Sequence, residues 1–277
     1  MLLTAEIVGV FMPAVVLFLI AVSFGIAIMY LGKRFAVQGD SRTEEIRKLL
    51  PSANCGACGL AGCDDFASSL AKGEVKLGDC TVLGGANRLA LSKMLSDESG
   101  SGFTETVAVV CCNGGNSCKN KYDYQGYGDC RTAEMLAEGR KACPVGCVGL
   151  GTCVDFCHYF AVDVGQEGVS RVIAENCTSC GMCIKACPKN IIKRIPKSAG
   201  VYIACSNHGK GKEVREICSR GCIGCGICAK SCPENAITMN GMLPEIDYSK
   251  CTGCGVCVEK CPVKCILYHG SAASSAA

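Results

Sequence analysis

The chain has 277 residues, among them 27 Cys, 34 Gly and no Trp, and a formal net charge of +3. Cys at about one residue in ten marks a disulfide scaffold or a metal protein. The 49% hydrophobic content counts Cys, so the remaining apolar share is thin for one large aliphatic core. An ordinary aliphatic-cored enzyme is thereby excluded, and a near-neutral chain without blocks of like charge gives no reason to expect nucleic acid.

Residues 7–32 form an uncharged apolar run bounded by Glu6 and by Lys33 and Arg34. A bilayer core of about 30 Å needs roughly 20 helical residues, so this run can span it. Pro13 and the glycines are tolerated in such helices. A cleaved signal peptide puts positive charge before a shorter apolar stretch; here the charge follows. The expectation is a retained, single-pass anchor over 1–33 in the cell (inner) membrane, its residues 7–32 in the lipid bilayer. Lys33, Arg34, Arg42, Arg47 and Lys48 all follow it. Positive charge stays inside, so the N-terminus is expected outside and the rest in the cytoplasm. That compartment is reducing, and its thiols read as metal ligands rather than disulfides.

The segment EEIRKLLP predicts a short amphipathic helix ending before Pro51. NCGACGLAGC then places Cys55, Cys58 and Cys63 on a glycine-rich loop, and Cys80 follows the helix-like DDFASSLAKGE. A small, mostly helical domain over 42–93 is expected to hold one [4Fe-4S] cluster on these four Cys, tetrahedral zinc being the alternative. Residues 94–102, with SDESGSG, read as a flexible linker on which that domain could swing.

Three later segments have the pattern Cys-x2-Cys-x2-Cys-x3-Cys-Pro. They run from Cys177 to Pro188, from Cys222 to Pro233 and from Cys251 to Pro262. This is the bacterial ferredoxin ligand run, in which three close thiolates hold one cube and the fourth Cys serves the other cluster of a pair. Zinc sites usually separate two ligand pairs by a dozen or more residues, so zinc fits these compact runs poorly. The last two motifs make one two-cluster unit over 201–270. Its expected clusters are Cys222, Cys225, Cys228 with Cys261, and Cys251, Cys254, Cys257 with Cys232.

The Cys177 motif finds its partner in a duplication. Cys143, Cys147, Cys153 and Cys157 lie 75 positions before Cys218, Cys222, Cys228 and Cys232, and the 177–187 motif lies 74 before 251–261. AVV before Cys111 matches YIA before Cys205. A first unit is therefore expected over 103–200, and residues 271–277 as a disordered tail. The overall class is α+β: a transmembrane helix, a small mostly helical 4Fe-4S domain, and tandem two-[4Fe-4S] ferredoxin-like units. IIKRI, AITMN and CILYH are expected as short strands.

The first unit departs from its copy. Leu150 stands where the second unit has Cys225, and the stretch between Cys111 and Cys143 is 19 residues longer than its counterpart between Cys205 and Cys218. Cys157, Cys177, Cys180 and Cys183 form one expected cluster. Cys147, Cys153 and Cys187 need a fourth ligand, for which Cys143 is the first choice. Cys111, Cys112, Cys118 and Cys130 are either a sixth cluster or buried structural thiols. Cys205, Cys218 and Cys265 have no clear role. His158, His208 and His269 read as ordinary surface or packing residues, and no acid–base or nucleophilic constellation stands out.

The order of anchor, Cys-Gly-Ala-Cys-Gly-x3-Cys domain and paired ferredoxin motifs resembles the B subunits of the Rnf family. NCGACGLAGC at 54–63, GDC at 128–130 and CTGCGVCVEKCPVKC at 251–265 are the most similar segments. The chain is similar to the longer form, with two ferredoxin units. The resemblance implies a membrane assembly that moves electrons between ferredoxin and NAD, coupled to Na+ or H+ translocation. It implies soluble ferredoxin as electron donor, and other membrane and flavin-carrying subunits as partners. Five to six [4Fe-4S] clusters are then expected, with no flavin or nucleotide on this chain, which has no GxGxxG after a strand. The alternative is a membrane-tethered polyferredoxin module of another redox complex without ion translocation, to be told apart by co-purification with flavin-carrying subunits. A cluster-assembly protein would instead hold labile clusters.

Overall fold

A computed structural model describes residues 2–34, 41–95 and 104–269. Most of the expected linker, 96–102, and the tail 271–277 lie outside the described residues; 94 and 95 instead complete a helix. The chain divides into two compact units, residues 1–45 and 46–277.

In the first unit, α1 (Leu2–Arg34) is one continuous helix. Its stretch Val15–Gly32 has a mean hydropathy of 2.5 and buries nothing within the protein. Large apolar side chains such as Phe18, Phe24 and Ile28 are exposed around its circumference. A helix apolar on all sides suits lipid rather than water, and this one is long enough to cross a membrane.

The second unit begins with the end of α2 (Ser41–Leu49), which stops before Pro51 as the sequence predicts. Then come α3 (Cys63–Lys72), a 3-10 turn (Leu77–Asp79) and α4 (Gly85–Leu95). Their inward faces, with Leu83 from the loop before α4, supply a small core of Ile46, Phe66, Leu70, Leu77 and Leu91.

The duplication is visible in the strand pairing. In the first copy, β1 (Thr106–Val110) pairs antiparallel with β4 (Ile192–Pro196), and β2 (Val162–Val164) with β3 (Ser170–Val172). In the second, β5 (Val201–Ile203) pairs with β8 (Ile266–Tyr268), and β6 (Ile237–Asn240) with β7 (Leu243–Ile246). The three strands expected from IIKRI, AITMN and CILYH are β4, β6 and β8. Each outer pair is extended by one equivalent bond, Cys111 N to Ile191 O at 2.7 Å and Ala204 N to Cys265 O at 2.7 Å. Short helices lie between: α5 (Cys130–Met135), α6 (Thr152–Asp155), α7 (Met182–Ala186), α8 (Gly211–Ile217), α9 (Ile227–Lys230) and α10 (Val256–Glu259).

Helices α6, α7, α9 and α10 each start from a glycine in the left-handed region, Gly151, Gly181, Gly226 and Gly255. The first copy thus keeps the ferredoxin loop at Gly151 although Leu150 has replaced a ligand. Two-stranded ribbons are marginal in water by themselves. Here they close over cores in which Cys147, Cys153 and Cys183, or Cys222, Cys228 and Cys257, sit among a few Val, Ile and Leu.

Two glycines separate strain from clash. Gly241, between β6 and β7, has φ +61 and open space around a built Cβ, whereas at Gly149, φ +78, the Cβ would lie 2.5 Å from the Gly168 carbonyl oxygen. Gly241→Ala is expected to cost only the left-handed strain, about 1–2 kcal/mol. Gly149→Ala must also move backbone, and should lower the unfolding midpoint of the metal-loaded protein further. Equal shifts for the two would show that the Gly149 loop yields freely.

Candidate metal centres

Cys55, Cys58, Cys63 and Cys80 line one cavity of about 360 Å3. The loop is closed by Asn54, whose Oδ1 accepts from Cys63 N at 2.8 Å. Arg88, on α4, is fully buried; it donates to Leu77 O at 3.2 Å and to Cys80 O at 2.5 Å, fixing the Cys80 turn. No motif in the sequence points to this arginine.

In the second copy, Cys222, Cys225, Cys228 and Cys261 line a cavity of about 320 Å3, the grouping predicted from the motif. Cys265 shares its lining, 3.7 Å from Cys261 by sulfur. Burial pushes the Cys257 thiol up to about 11, with Cys251 and Cys254 adding to the effect, and Cys232 packs into the same core. In the first copy burial likewise pushes Cys183 up to about 12, with Cys177, Cys180 and Cys157 among the thiols near it. The repeat extends to backbone N–H···S bonds: Ala161 N to Cys157 and Ala236 N to Cys232, both 3.3 Å.

One expected grouping changes. The cavity of about 350 Å3 that holds Cys147, Cys153 and Cys187 is lined by Cys130, not Cys143. The longer segment folds back through an antiparallel bridge between Asn120 and Lys141. This brings the start of α5 over the site. Asp129 caps α5, accepting from Thr132 N at 3.0 Å, and accepts from the Thr152 hydroxyl at 2.7 Å; that hydroxyl in turn accepts from Cys130 N at 2.7 Å. The Thr152 and Thr132 bonds hold the Asp129 carboxyl down at about 2. Cys130 thus lines one cavity with Cys147, Cys153 and Cys187.

The expected quartet of Cys111, Cys112, Cys118 and Cys130 does not assemble. Cys111 is buried beside Cys205 and Lys193, and burial pushes it up to about 11. Cys112, Cys118 and Cys143 instead meet Cys218 around a separate cavity of about 390 Å3.

Among the described residues, no three His, Cys, Asp or Glu side chains converge tightly enough for a single metal ion. Thiolates around one zinc at about 2.3 Å would lie within about 4 Å of each other. Rings of four thiols about a wider cavity fit a cluster better. Burial also pushes Cys147 and Cys228 up to about 11, and a bound metal replaces such protons.

A family model for an Fe–S cluster matches residues 50–82, and models for 4Fe-4S dicluster domains match 176–237 and 221–265. Three relatives, all B subunits of ion-translocating complexes, share most of the chain. That of the Na(+)-translocating ferredoxin:NAD(+) oxidoreductase complex of Acetobacterium woodii is 38% identical, over 87% of this chain and 73% of its own. That of the ion-translocating oxidoreductase complex of Methanosarcina acetivorans is 39% identical, over 82% and 86%. That of the proton-translocating ferredoxin:NAD(+) oxidoreductase complex of Clostridium ljungdahlii is 37% identical, over 87% and 85%.

Asp129→Ala removes both the α5 cap and the clamp on Cys130. Anaerobic quantitation is expected to find about four fewer iron atoms per chain, with Asp129→Asn intermediate because it can still cap. Arg88→Met should lower stability by about 1.5–3 kcal/mol through two lost charge-assisted bonds. Wild-type iron content and unfolding midpoint in both variants would refute these roles.

Proposed function

The chain belongs to the family of B subunits of ion-translocating oxidoreductase complexes, the Rnf family, and on that premise we propose that it is the iron–sulfur relay of such a complex. Electrons enter from reduced soluble ferredoxin and leave to membrane-embedded partner subunits on the way to NAD. The clusters supply one-electron redox chemistry when bound; the chain binds them, keeps water from them and holds them in order.

Five sites follow from the thiol groupings. They are Cys55, Cys58, Cys63, Cys80; Cys130, Cys147, Cys153, Cys187; Cys157, Cys177, Cys180, Cys183; Cys222, Cys225, Cys228, Cys261; and Cys232, Cys251, Cys254, Cys257.

The observation that carries the reading is that these sites adjoin one another. Cys228 lies close to Cys257, linking the two sites of the second copy, and Cys153 close to Cys183, linking those of the first. Tyr159 lies within electrostatic reach of Cys55, Cys63 and Cys180, and Lys185 donates to Ala57 O at 3.4 Å, joining the first copy to the helical domain. Cys225 and Cys254 are exposed thiols, which suits electron entry at the second copy. The helical domain follows α1 within a few residues, which suits exit at the membrane. The basic residues after α1 favour a cytoplasmic position for everything beyond it. One relative is named for Na+ and another for protons at nearly the same identity, so the choice of ion rests with partner subunits.

The test uses the anaerobically purified complex in sealed vesicles. Cys130→Ala is expected to abolish most ferredoxin-dependent NAD reduction together with ion uptake. In the isolated full chain, Cys130→Ala/Cys153→Ala should lose no more iron than Cys130→Ala, about four atoms, because both ligands serve one site. Cys55→Ala/Cys153→Ala should lose about eight, because those two serve separate sites. Wild-type turnover in Cys130→Ala, or a chain that reduced ferredoxin does not reduce, would overturn the reading.

A further inference from the structure

Four thiols are left over at the seam between the two ferredoxin copies. We propose that Cys112, Cys118, Cys143 and Cys218 hold a sixth [4Fe-4S] cluster, shared by both copies and seated between their cluster pairs. The proposal rests on the relay reading above and deepens it.

Backbone pairing builds this site. The strand-like segment around Cys118 runs between two others. On one side Lys119 N donates to Ile217 O at 2.8 Å and Ser219 N to Ser117 O at 3.2 Å. These two bonds flank Cys118 and Cys218, making them a non-hydrogen-bonded antiparallel pair, the arrangement in which facing side chains lie closest. On the other side Ala142 N donates to Lys119 O at 2.8 Å, bringing Cys143 alongside. Cys118, Cys143 and Cys218 form one buried group. Cys112 arrives from the end of β1, its sulfur accepting from Gly114 N and Cys147 N at 3.4 Å each. The Cys143 sulfur accepts from Asn207 Nδ2 at 3.4 Å. Such N–H···S bonds also serve Cys157 and Cys232.

Gly114 marks how closely the thiols crowd. A Cβ built there would lie 3.2 Å from Cys118 Cβ, 3.3 Å from Cys218 Sγ and 3.6 Å from Cys112 Sγ. Cys147 and Cys205 also border the cavity, but each is engaged elsewhere. Cys147 borders the Cys130 cavity, and Cys205 packs into the core of the second copy with Cys222 and Cys228. The cavity is lined by converging thiols, as the other cavities are.

Charge agrees. Lys141 is 4% exposed, donates to Gly115 O at 2.8 Å, and has Cys118, Cys112 and Cys147 around it. An oxidised cube on four thiolates carries about −2, a fitting neighbour for a buried ammonium. Position agrees as well. Cys147 joins this site to the first copy's pair and Cys205 to the Cys222 site of the second, so a sixth cluster fills the gap between them. Cys143 and Cys218 are equivalent positions of the duplication, one from each copy. Loading should therefore staple the copies together.

The experiment is iron, sulfide and zinc quantitation on the anaerobic full chain, with native mass spectrometry of the wild type as a count independent of any variant. About 24 iron atoms and six clusters are expected. Cys118→Ala/Cys218→Ala and Cys143→Ala should each fall to about 20, while Cys205→Ala and Cys111→Ala stay near 24. Five clusters in the wild type, with the double variant unchanged, would overturn the sixth site and leave the five-cluster relay intact. One zinc lost with Cys118 and Cys218, or a Cys118–Cys218 disulfide resisting alkylation, would overturn it too. A wild-type value far below 20 would instead strike the relay reading itself.

Discussion

The interaction on which this protein depends is the bond between buried thiolate and metal. Burial drives the free thiols toward their neutral forms, Cys183 to about 12 and Cys147, Cys228 and Cys257 to about 11. A bound cluster reverses this by replacing the protons. It also replaces a core. Each ferredoxin copy has two short two-stranded ribbons and a handful of buried Val, Ile and Leu, too little to hold such ribbons by apolar burial alone. With the proposed clusters, folding and metal loading are coupled in residues 104–269.

The duplication shows how such a unit changes without losing its cluster. Replacement of a ligand by Leu150 would leave three thiols around a cube. On the proposed reading the longer segment supplies the fourth from outside the motif, held by a polar clamp rather than by loop geometry. Asp129 holds α5, Thr152 holds Asp129 and Cys130, and Thr152 is the residue before the ligand Cys153. The same segment pairs with 217–219 and stitches the two copies. One insertion thus repairs a site and creates a seam.

Much of this was legible from sequence because ferredoxin motifs encode local geometry. Three thiols within seven residues, with a glycine that opens the next helix, specify a loop whatever surrounds it. The strands β4, β6 and β8 were legible as short apolar runs after each motif, and the pairing of motifs followed from the repeat. Two things were not. The exchange of Cys143 for Cys130 depends on the path of a segment without periodicity, and the repeat itself pointed to Cys143. Its only local signals were the Asp before Cys130 and the Thr before Cys153. The buried cations Arg88 and Lys141 were hidden too, since a lone basic residue reads as surface until packing places it.

Those cations say something about what the cavities hold. A buried ammonium or guanidinium is costly unless its charge is met nearby. Lys141 is met by the Gly115 carbonyl, which solvates charge without cancelling it, and has the thiols Cys118, Cys112 and Cys147 around it. Arg88 donates to the carbonyl of a cysteine, Cys80. Lys141 makes better sense beside an anionic occupant. The Cys222 cavity has no cation in its lining, and its thiol Cys225 is exposed, so water can screen the charge there. With six clusters the formal +3 would become about −9, a balance that internal cations temper only where solvent cannot reach.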